Sequence, residues 1–544
     1  RNMYPPRVSD SNSRINILHA YGWEETQINY HWINDFNESL QGITVMSEFV
    51  KKILIDNGFS KPIEVCGLGV EHLLPDEKVS YPLCAKKFKF LHISSCFPRK
   101  GIEILIEAYS KLFSIHDDVS LVIKTFPNPH NNVLSILEKY RRADSNFPDV
   151  VYIDRDLSKE EIFSLYTQCD VLVAPSYGEG FGLPMAEAMF LKLPVITTDW
   201  GGQSDFCNEE NSWLIDYEFQ PTESHFGLTS SVWAQPLVDD LVQLMSRLYY
   251  IDSSHLAEKL DNGYNLIKEK FTWLNVAKIN TNFVRNLLSK KVSRSSKIGW
   301  ITTWNSRCGI AAYSEHLINF FSEEVVILAP NDEDLISTDG LNVKRCWDLD
   351  NKDNQSLSQL YNLIIEEDFT TLVVQFNYGF FNFNELEKLV TRCLDNHIRV
   401  IMILHSTIDP TPAFFKNLKS LSPTLHKCDR ILVHTPKDLN RLKNLNLVEN
   451  ITLFPHGIID FSLLKENKVS FKPQHSLFTI STFGYCLPNK GFPELIRAIR
   501  RLADKEIRFK LNMYTAIYNG SFNWFYNELT KLVHTLDISN LVTI

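Results

Sequence analysis

The chain repeats itself. Gly42 to Val70 reads as strand, helix, strand and glycine turn (Gly-Ile-Thr-Val-Met-Ser-Glu-Phe-Val, then Pro-Ile-Glu-Val-Cys-Gly-Leu-Gly-Val). Asp429 to Ile458 reads the same way, so that Gly457 lies 388 positions after Gly69. Cys96-Phe97-Pro98-Arg99-Lys100-Gly101 recurs as Cys486-Leu487-Pro488-Asn489-Lys490-Gly491, 390 positions on. Two α/β segments held in register over this distance indicate tandem copies of one module. Their strands are short apolar runs bounded by turn residues, as buried parallel strands are. The expected fold class is therefore α/β, built on Rossmann-like, doubly wound parallel sheets.

The sharpest local motif is Pro175-Ser176-Tyr177-Gly178-Glu179-Gly180-Phe181-Gly182-Leu183-Pro184-Met185-Ala186-Glu187-Ala188-Met189. It follows an apolar strand, Asp170 to Ala174, and precedes another, Leu193 to Thr197. Gly178, Gly180 and Gly182 permit backbone conformations that a side chain forbids and let amide N–H groups approach a ligand closely. Pro184 suits the first helical position, where its missing N–H costs nothing. The helix N-terminus then aims free N–H groups and a partial positive charge at the turn, a setting for phosphate. Two carboxylates, Glu179 and Glu187, flank it with seven residues between them.

That string resembles the E-x7-E signature of retaining glycosyltransferases of family 4, which have the two-domain GT-B fold. The resemblance implies that Glu179 lies against the donor sugar and that Glu187 holds the ribose hydroxyls of the nucleotide. It also implies that the amides of Gly180, Phe181, Gly182 and Leu183 surround the sugar and its phosphate. Family 4 enzymes neutralise the departing diphosphate with a lysine and an arginine five residues before it. Lys100 matches the lysine, at the mouth of a turn between the strand Phe90 to Ser95 and a helix beginning near Ile102. The arginine position holds Ser95, and Tyr485 in the second copy. Either Arg99 takes over that charge or the phosphate grip is weaker. Trp23 and Glu24, together with Arg1 to Arg7, are similar to N-domain segments of polysaccharide-building members, including polymannose O-antigen mannosyltransferases, and would face the cleft from the acceptor side. In the second copy, Thr303 to Ala311 resembles the family's N-terminal glycine loop, with Gly309 beside donor phosphate. His405, ending the strand Val400 to Leu404, matches a cleft histidine beside the reacting sugar, and Lys490 repeats Lys100.

Carrying the offset forward puts the second copy of Glu179 near position 569, beyond Ile544, and carrying it back from Lys297 leaves the first copy short of roughly ninety residues. The expectation is an internal piece of a longer protein, with modules truncated at both ends. Residues 1–78 would end one N-terminal domain, 79–290 form its donor-binding partner, and 291–296 link them to a second N-terminal domain, 297–466. Residues 467–544 would begin the second partner. The helical pattern Phe271 to Leu288 fits the last helix of a GT-B module, which crosses back to the N-terminal domain.

Other classes fit poorly. A net charge of −10 over 544 residues argues against nucleic acid or unspecific adhesion to anionic lipid. Ten cysteines without paired Cys-x-x-Cys spacing indicate neither a zinc site nor a disulfide framework. A reducing cytoplasm fits, and with no apolar run near ~18 residues nothing spans a membrane, although peripheral attachment at its inner face stays open. Asp154-Arg155-Asp156 and Asp348-Leu349-Asp350 look like the Asp-x-Asp metal motif of the other glycosyltransferase fold, but triplets this short arise by chance, so no metal is expected. Gly67-Leu68-Gly69 lacks the third glycine of a dinucleotide fingerprint. The expected activity is retaining transfer of a sugar, mannose from GDP-mannose first, to a polysaccharide or glycolipid acceptor, with no cofactor beyond the donor. A GT-B phosphorylase is the alternative enzyme, and the second module as a carbohydrate-binding scaffold is the alternative of another class.

Overall fold

The apolar run after Asp170 forms a strand, Val171–Ala174, buried along its whole length, and its neighbours in sequence do likewise. The computed structural model describes residues 8, 15–75, 77, 79–224, 226–251, 256–289, 297–331, 335–350, 355–410, 416–458, 478–505, 507, 509–517 and 523–544. Arg1 to Arg7, the linker at 291–296 and the boundary at 466 fall outside them. The chain divides into two compact units, 1–457 and 458–544.

In the first unit, β1 (Ile17–Tyr21), β2 (Gly42–Val45) and β3 (Ile63–Val65) make a parallel sheet in that order. A six-stranded parallel sheet follows, from β4 (Phe88–Ile93), β5 (Val119–Thr125), β6 (Asp149–Asp154), β7 (Val171–Ala174), β8 (Val195–Thr198) and β9 (Trp213–Ile215). Its order is β6-β5-β4-β7-β8-β9, the doubly wound arrangement in which the chain returns to the centre and then builds outward the other way. An antiparallel hairpin, β10 (Tyr217–Pro221) and β11 (Val232–Pro236), stands beside it. The third sheet has seven strands, β12 (Lys297–Ile301), β13 (Glu324–Pro330), β14 (Val343–Trp347), β15 (Thr371–Phe376), β16 (Arg399–Leu404), β17 (Arg430–Val433) and β18 (Ile451–Leu453). It too is doubly wound, β14-β13-β12-β15-β16-β17-β18. The fold class is α/β with parallel sheets, as expected.

The switch point of the six-stranded sheet lies between β4 and β7, so the turns that follow those two strands face each other across a crevice. They carry Lys100 and Glu179. The helix Trp273–Ser289 leaves this sheet's domain and packs on β3. There Thr44 Oγ1 donates to Asn280 Oδ1 at 2.9 Å, and the Phe283 ring covers Gly42 closely enough to leave no room for a Cβ. The three-stranded sheet is thereby fixed against the crevice.

The seven-stranded sheet shares a core with the hairpin. Trp200, Tyr217 and Phe219 pack in one buried cluster with Ile431, Leu439 and Leu442. Asn440 clasps Phe219, accepting its N–H at 2.7 Å and donating to its carbonyl at 3.2 Å. Arg430 Nε reaches Asp56 Oδ1 at 2.7 Å.

The second unit carries β19 (Phe478–Tyr485), β20 (Phe509–Ala516) and β21 (Val542–Thr543) in one parallel sheet, with helices Phe492–Ala503 and Asn523–Thr535. The segments that repeat in sequence take the same local form. Ser47 caps the helix Glu48–Asp56 by accepting from Val50 N, and Thr435, 388 positions later, caps Pro436–Lys443 by accepting from Asp438 N. Pro98–Lys100 and Pro488–Lys490 are both single 3₁₀ turns closed by a left-handed glycine, Gly101 at φ 69° and Gly491 at φ 72°. No helix among the described residues is long and apolar enough to cross a membrane.

Candidate active site

The turn after β7 is built so that Glu179 points away from water. Ser176 Oγ donates to Glu179 Oε1 at 2.7 Å, Lys100 Nζ meets the same oxygen at 2.5 Å, and Arg99 stands 3.7 Å from Oε2. Glu179 is 6% exposed. Burial works against its charge, but Lys100 and Arg99 overrule it and hold the carboxyl below its ordinary range. Burial in turn lowers the Lys100 ammonium, helped by the like charge of Arg99 and opposed by Glu179.

The three-stranded sheet supplies the opposite wall. Arg99 spans the crevice, with NH2 3.1 Å from Glu24 Oε1 and NH1 donating to the Gly178 carbonyl at 3.1 Å. The loop after β1 lies directly on the glycine turn: a Cβ at Gly178 would come 2.3 Å from the Glu24 carbonyl oxygen. Ser47, besides capping its helix, donates to the Gly180 carbonyl at 2.7 Å. Trp23 is buried at the base of this loop, its indole N–H donating to Gln27 O at 2.9 Å.

Glu187 occupies the next turn of the following helix, Leu183–Phe190. Pro184 sits at its second residue rather than the first, because Gly182, left-handed at φ 91°, already releases Leu183 into helical conformation. Tyr166 OH donates to Glu187 Oε2 at 2.8 Å, and His72 Nε2 lies 3.2 Å from Oε1. The hydrogen bond to Glu187 raises the His72 pKa, and burial beside that carboxylate drives the Tyr166 hydroxyl well above its ordinary value.

The structure therefore brings together Trp23, Glu24, Arg99, Lys100, Glu179 and Gly180, with Glu187 one helical turn beyond. Phe181 turns its ring into the core against Phe206 and Phe271, leaving only its backbone for the turn. Ser95 stands at the rim, its carbonyl accepting from Asn128 Nδ2 at 2.9 Å. Gly309 opens the helix Gly309–Ile318 that follows β12, and His405 comes directly after β16, so both stand at strand ends of the seven-stranded sheet. Lys490 belongs to the second unit. Asp154, Arg155 and Asp156 are exposed, and Asp350 is paired with Lys416. A cavity of about 1160 Å³, whose lining does not include Glu179, lies at the junction of the hairpin with the first and third sheets and is lined by Lys52, Asp56, Asp199, Arg430 and Lys443.

Several participants escaped the sequence reading. His92, at the end of β4, is buried with Nδ1 2.8 Å from the Val173 carbonyl and Nε2 2.7 Å from Ser94 Oγ. Desolvation pulls its pKa down to about 4. It ties the two strands of the switch point together, and an apolar strand interrupted by one histidine was its sole signal. Tyr166 and His72 are remote from Glu187 in sequence, and only the fold unites them. His405 is joined by His434 and His456. Burial lowers its pKa to about 3.

Residues 75–226 match the family model for glycosyl transferases group 1. This segment is similar to group 1 glycosyltransferase domains. It spans the six-stranded sheet and includes Lys100, Glu179 and Glu187. Among curated relatives, the chain is 27% identical over 239 residues to the MMP alpha-(1->4)-mannosyltransferase of Mycolicibacterium hassiacum, covering 43% of this chain and 51% of the relative. It is 34% identical over 129 residues to the serotype-specific mannosyltransferase WbdA of Escherichia coli, covering 24% of this chain and 15% of that protein. The chain thus spans about half or less of these relatives' length. Among solved structures, sucrose-phosphate synthase from Thermosynechococcus elongatus aligns with a TM-score of 0.37 at 19% identity, over 48% of this chain and 62% of that one. Anabaena HepE in complex with UDP and glucose aligns with a TM-score of 0.39 at 17% identity, over 51% and 72%.

Proposed function

We propose that the group 1 domain binds a nucleotide sugar in the crevice beside Glu179 and passes the sugar, with retention at the anomeric carbon, to a polysaccharide or glycolipid acceptor. The observation that carries this reading is the buried Lys100–Glu179 pair at 2.5 Å, set where a glycine turn opens a helix at the switch point of a doubly wound sheet. Such a place collects ligands, and helix amides with a lysine suit a diphosphate.

In this reading Glu179 takes hydroxyls of the donor sugar and Glu187, held by Tyr166, takes those of the ribose. As the glycosidic bond breaks, charge grows on the diphosphate, and Lys100 with the amides of Gly180 to Leu183 stabilises it. Arg99 is tied to Glu24 and Glu179, which makes it a bridge across the crevice that a phosphate would have to recruit. The acceptor approaches past Trp23 and Glu24 and attacks from the face the leaving group vacates, giving its proton to a phosphate oxygen. Orientation and charge are then the protein's main contributions.

The names of the two mannosyltransferase relatives favour mannose as the sugar, and GDP-mannose is the donor we propose for it. The repeated offsets and the matched turns at Lys100 and Lys490 support tandem GT-B modules, with Gly309, His405 and Lys490 in the second. A calorimetric screen of nucleotide sugars tests the reading. GDP-mannose should bind more tightly than GDP-glucose, UDP-glucose or free mannose, and heat with none of the nucleotide sugars would refute a donor site.

A further inference from the structure

The parallel strands β16, β17 and β18 end side by side, and each is followed by a histidine: His405, His434 and His456. One ligand nitrogen from each lies within 4.8 Å of the others. The hydrogen bonds behind the rings fix which nitrogens face inward. His434 Nδ1 meets the Phe454 carbonyl at 2.8 Å, and since a carbonyl only accepts, Nδ1 carries the proton and Nε2 is left with a bare lone pair. That Nε2 is buried and has no hydrogen-bond partner among the described residues. His405 Nε2 meets Gln375 Oε1 at 2.6 Å, which likewise puts the proton outside and leaves Nδ1 bare. His456 is exposed and completes the set. Tyr313 packs edge-on against all three rings, at 4.9 Å from His405, 5.6 Å from His434 and 5.1 Å from His456, and closes one side.

Bare imidazole nitrogens whose other nitrogen is held by a carbonyl or amide oxygen are what a metal-ligating histidine requires. The geometry points to a three-histidine site for a borderline divalent transition metal, zinc first, formed by His405, His434 and His456. A tetrahedral zinc holds nitrogens at about 2.0–2.1 Å, hence roughly 3.3 Å apart, so the rings close by at most about 1.5 Å. Rotation about the side-chain torsions of the exposed His456 can supply most of that. The His434 and His456 rings are stacked, with centroids 3.9 Å apart, and must unstack in the process. A neutral nitrogen set without carboxylates selects against magnesium and calcium.

The full chain, freed of metal by chelation, is titrated with zinc chloride by calorimetry, and with cobalt(II) followed by absorption. One zinc per chain with micromolar or tighter affinity is expected. His456→Ala, at an exposed position that does not endanger folding, should weaken it at least tenfold, and His434→Gln should abolish it. Cobalt should give tetrahedral ligand-field bands without a thiolate charge-transfer band. No stoichiometric binding, equal affinity in wild type and His456→Ala, or a thiolate band from the chain's cysteines would each overturn the site.

Discussion

Lys100 Nζ lies 2.5 Å from Glu179 Oε1, and neither side chain is more than 12% exposed. A buried pair of this kind is costly to break from one side, since the surviving charge keeps its desolvation penalty. Lys100→Met should destabilise the fold by about 3 kcal/mol and cut transfer by about 10²–10³. Adding Glu179→Gln should restore much of the stability and none of the turnover. Denaturation curves and transfer assays on the wild type and these two variants separate the two effects. Recovery of activity in the double variant would remove the pair from the reaction.

Tyr166 donates to Glu187 Oε2 and His72 faces Oε1, and in the proposed reading the remaining lone pairs of this carboxylate accept the ribose hydroxyls. Losing a hydrogen bond to a charged group costs about 1.5–3 kcal/mol, roughly a ten- to hundredfold loss of affinity. Glu187→Gln should weaken nucleotide-sugar binding by that factor while leaving the free sugar's binding untouched. Calorimetry gives both constants, and an unchanged donor constant would take Glu187 out of the site.

His92 predicts a pH dependence. Its folded pKa is about 4, below the ordinary 6.5, so the folded state stays neutral where the unfolded chain takes up a proton. Stability is therefore full above about pH 6.5 and is lost as the pH falls toward 4. Between pH 7.5 and 5 this one group should cost on the order of 2 kcal/mol. Urea denaturation of His92→Gln should show a correspondingly shallower acid slope than the wild type. Parallel slopes would mean that His92 is solvated.

The sequence made the elements around Glu179 legible because glycine spacing, an apolar strand and a proline-opened helix are local signals. β7 begins at Val171 and β4 ends at Ile93, each within two residues of the expectation from the apolar run. Lys100 was legible for the same reason. What connects these parts was not. That Ser47 would donate to Gly180, or that Arg99 would bridge Glu24 and Glu179, depends on how two sheets meet, and no local pattern encodes it. The histidine cluster escaped for a related reason. His405, His434 and His456 are 29 and 22 positions apart, a spacing that reads as nothing until three parallel strands bring their ends into line.

The two left-handed glycines separate conformation from crowding. Gly101 and Gly491 share nearly the same φ, yet a Cβ at Gly101 would lie 1.9 Å from the Pro175 carbonyl oxygen while one at Gly491 meets nothing within 4 Å. Gly491→Ala should therefore cost only backbone strain, about 1–2 kcal/mol. Gly101→Ala adds a clash with backbone that cannot rotate away, and should cost at least about 3 kcal/mol and shift the Glu179 turn. Thermal unfolding compares the two, and equal losses would mean that the close approach of the turns after β4 and β7 does not exist.

Chelation should distinguish the two sites. Around Glu179 the groups available to a diphosphate are Lys100, Arg99 and the amides of the turn, and the described residues bring no cluster of metal-ligating side chains there. Sugar transfer should therefore continue in excess EDTA, because lysine and helix amides already meet the growing charge. The histidine cluster lies on another sheet, so the same treatment would strip its metal without touching the donor pocket. Transfer assays in EDTA, alone and after addition of magnesium, manganese or zinc, read the difference. Loss of turnover restored by magnesium or manganese would place a metal on the diphosphate and return the exposed Asp154 and Asp156 to consideration. Restoration by zinc alone would couple the histidine cluster to the transfer step.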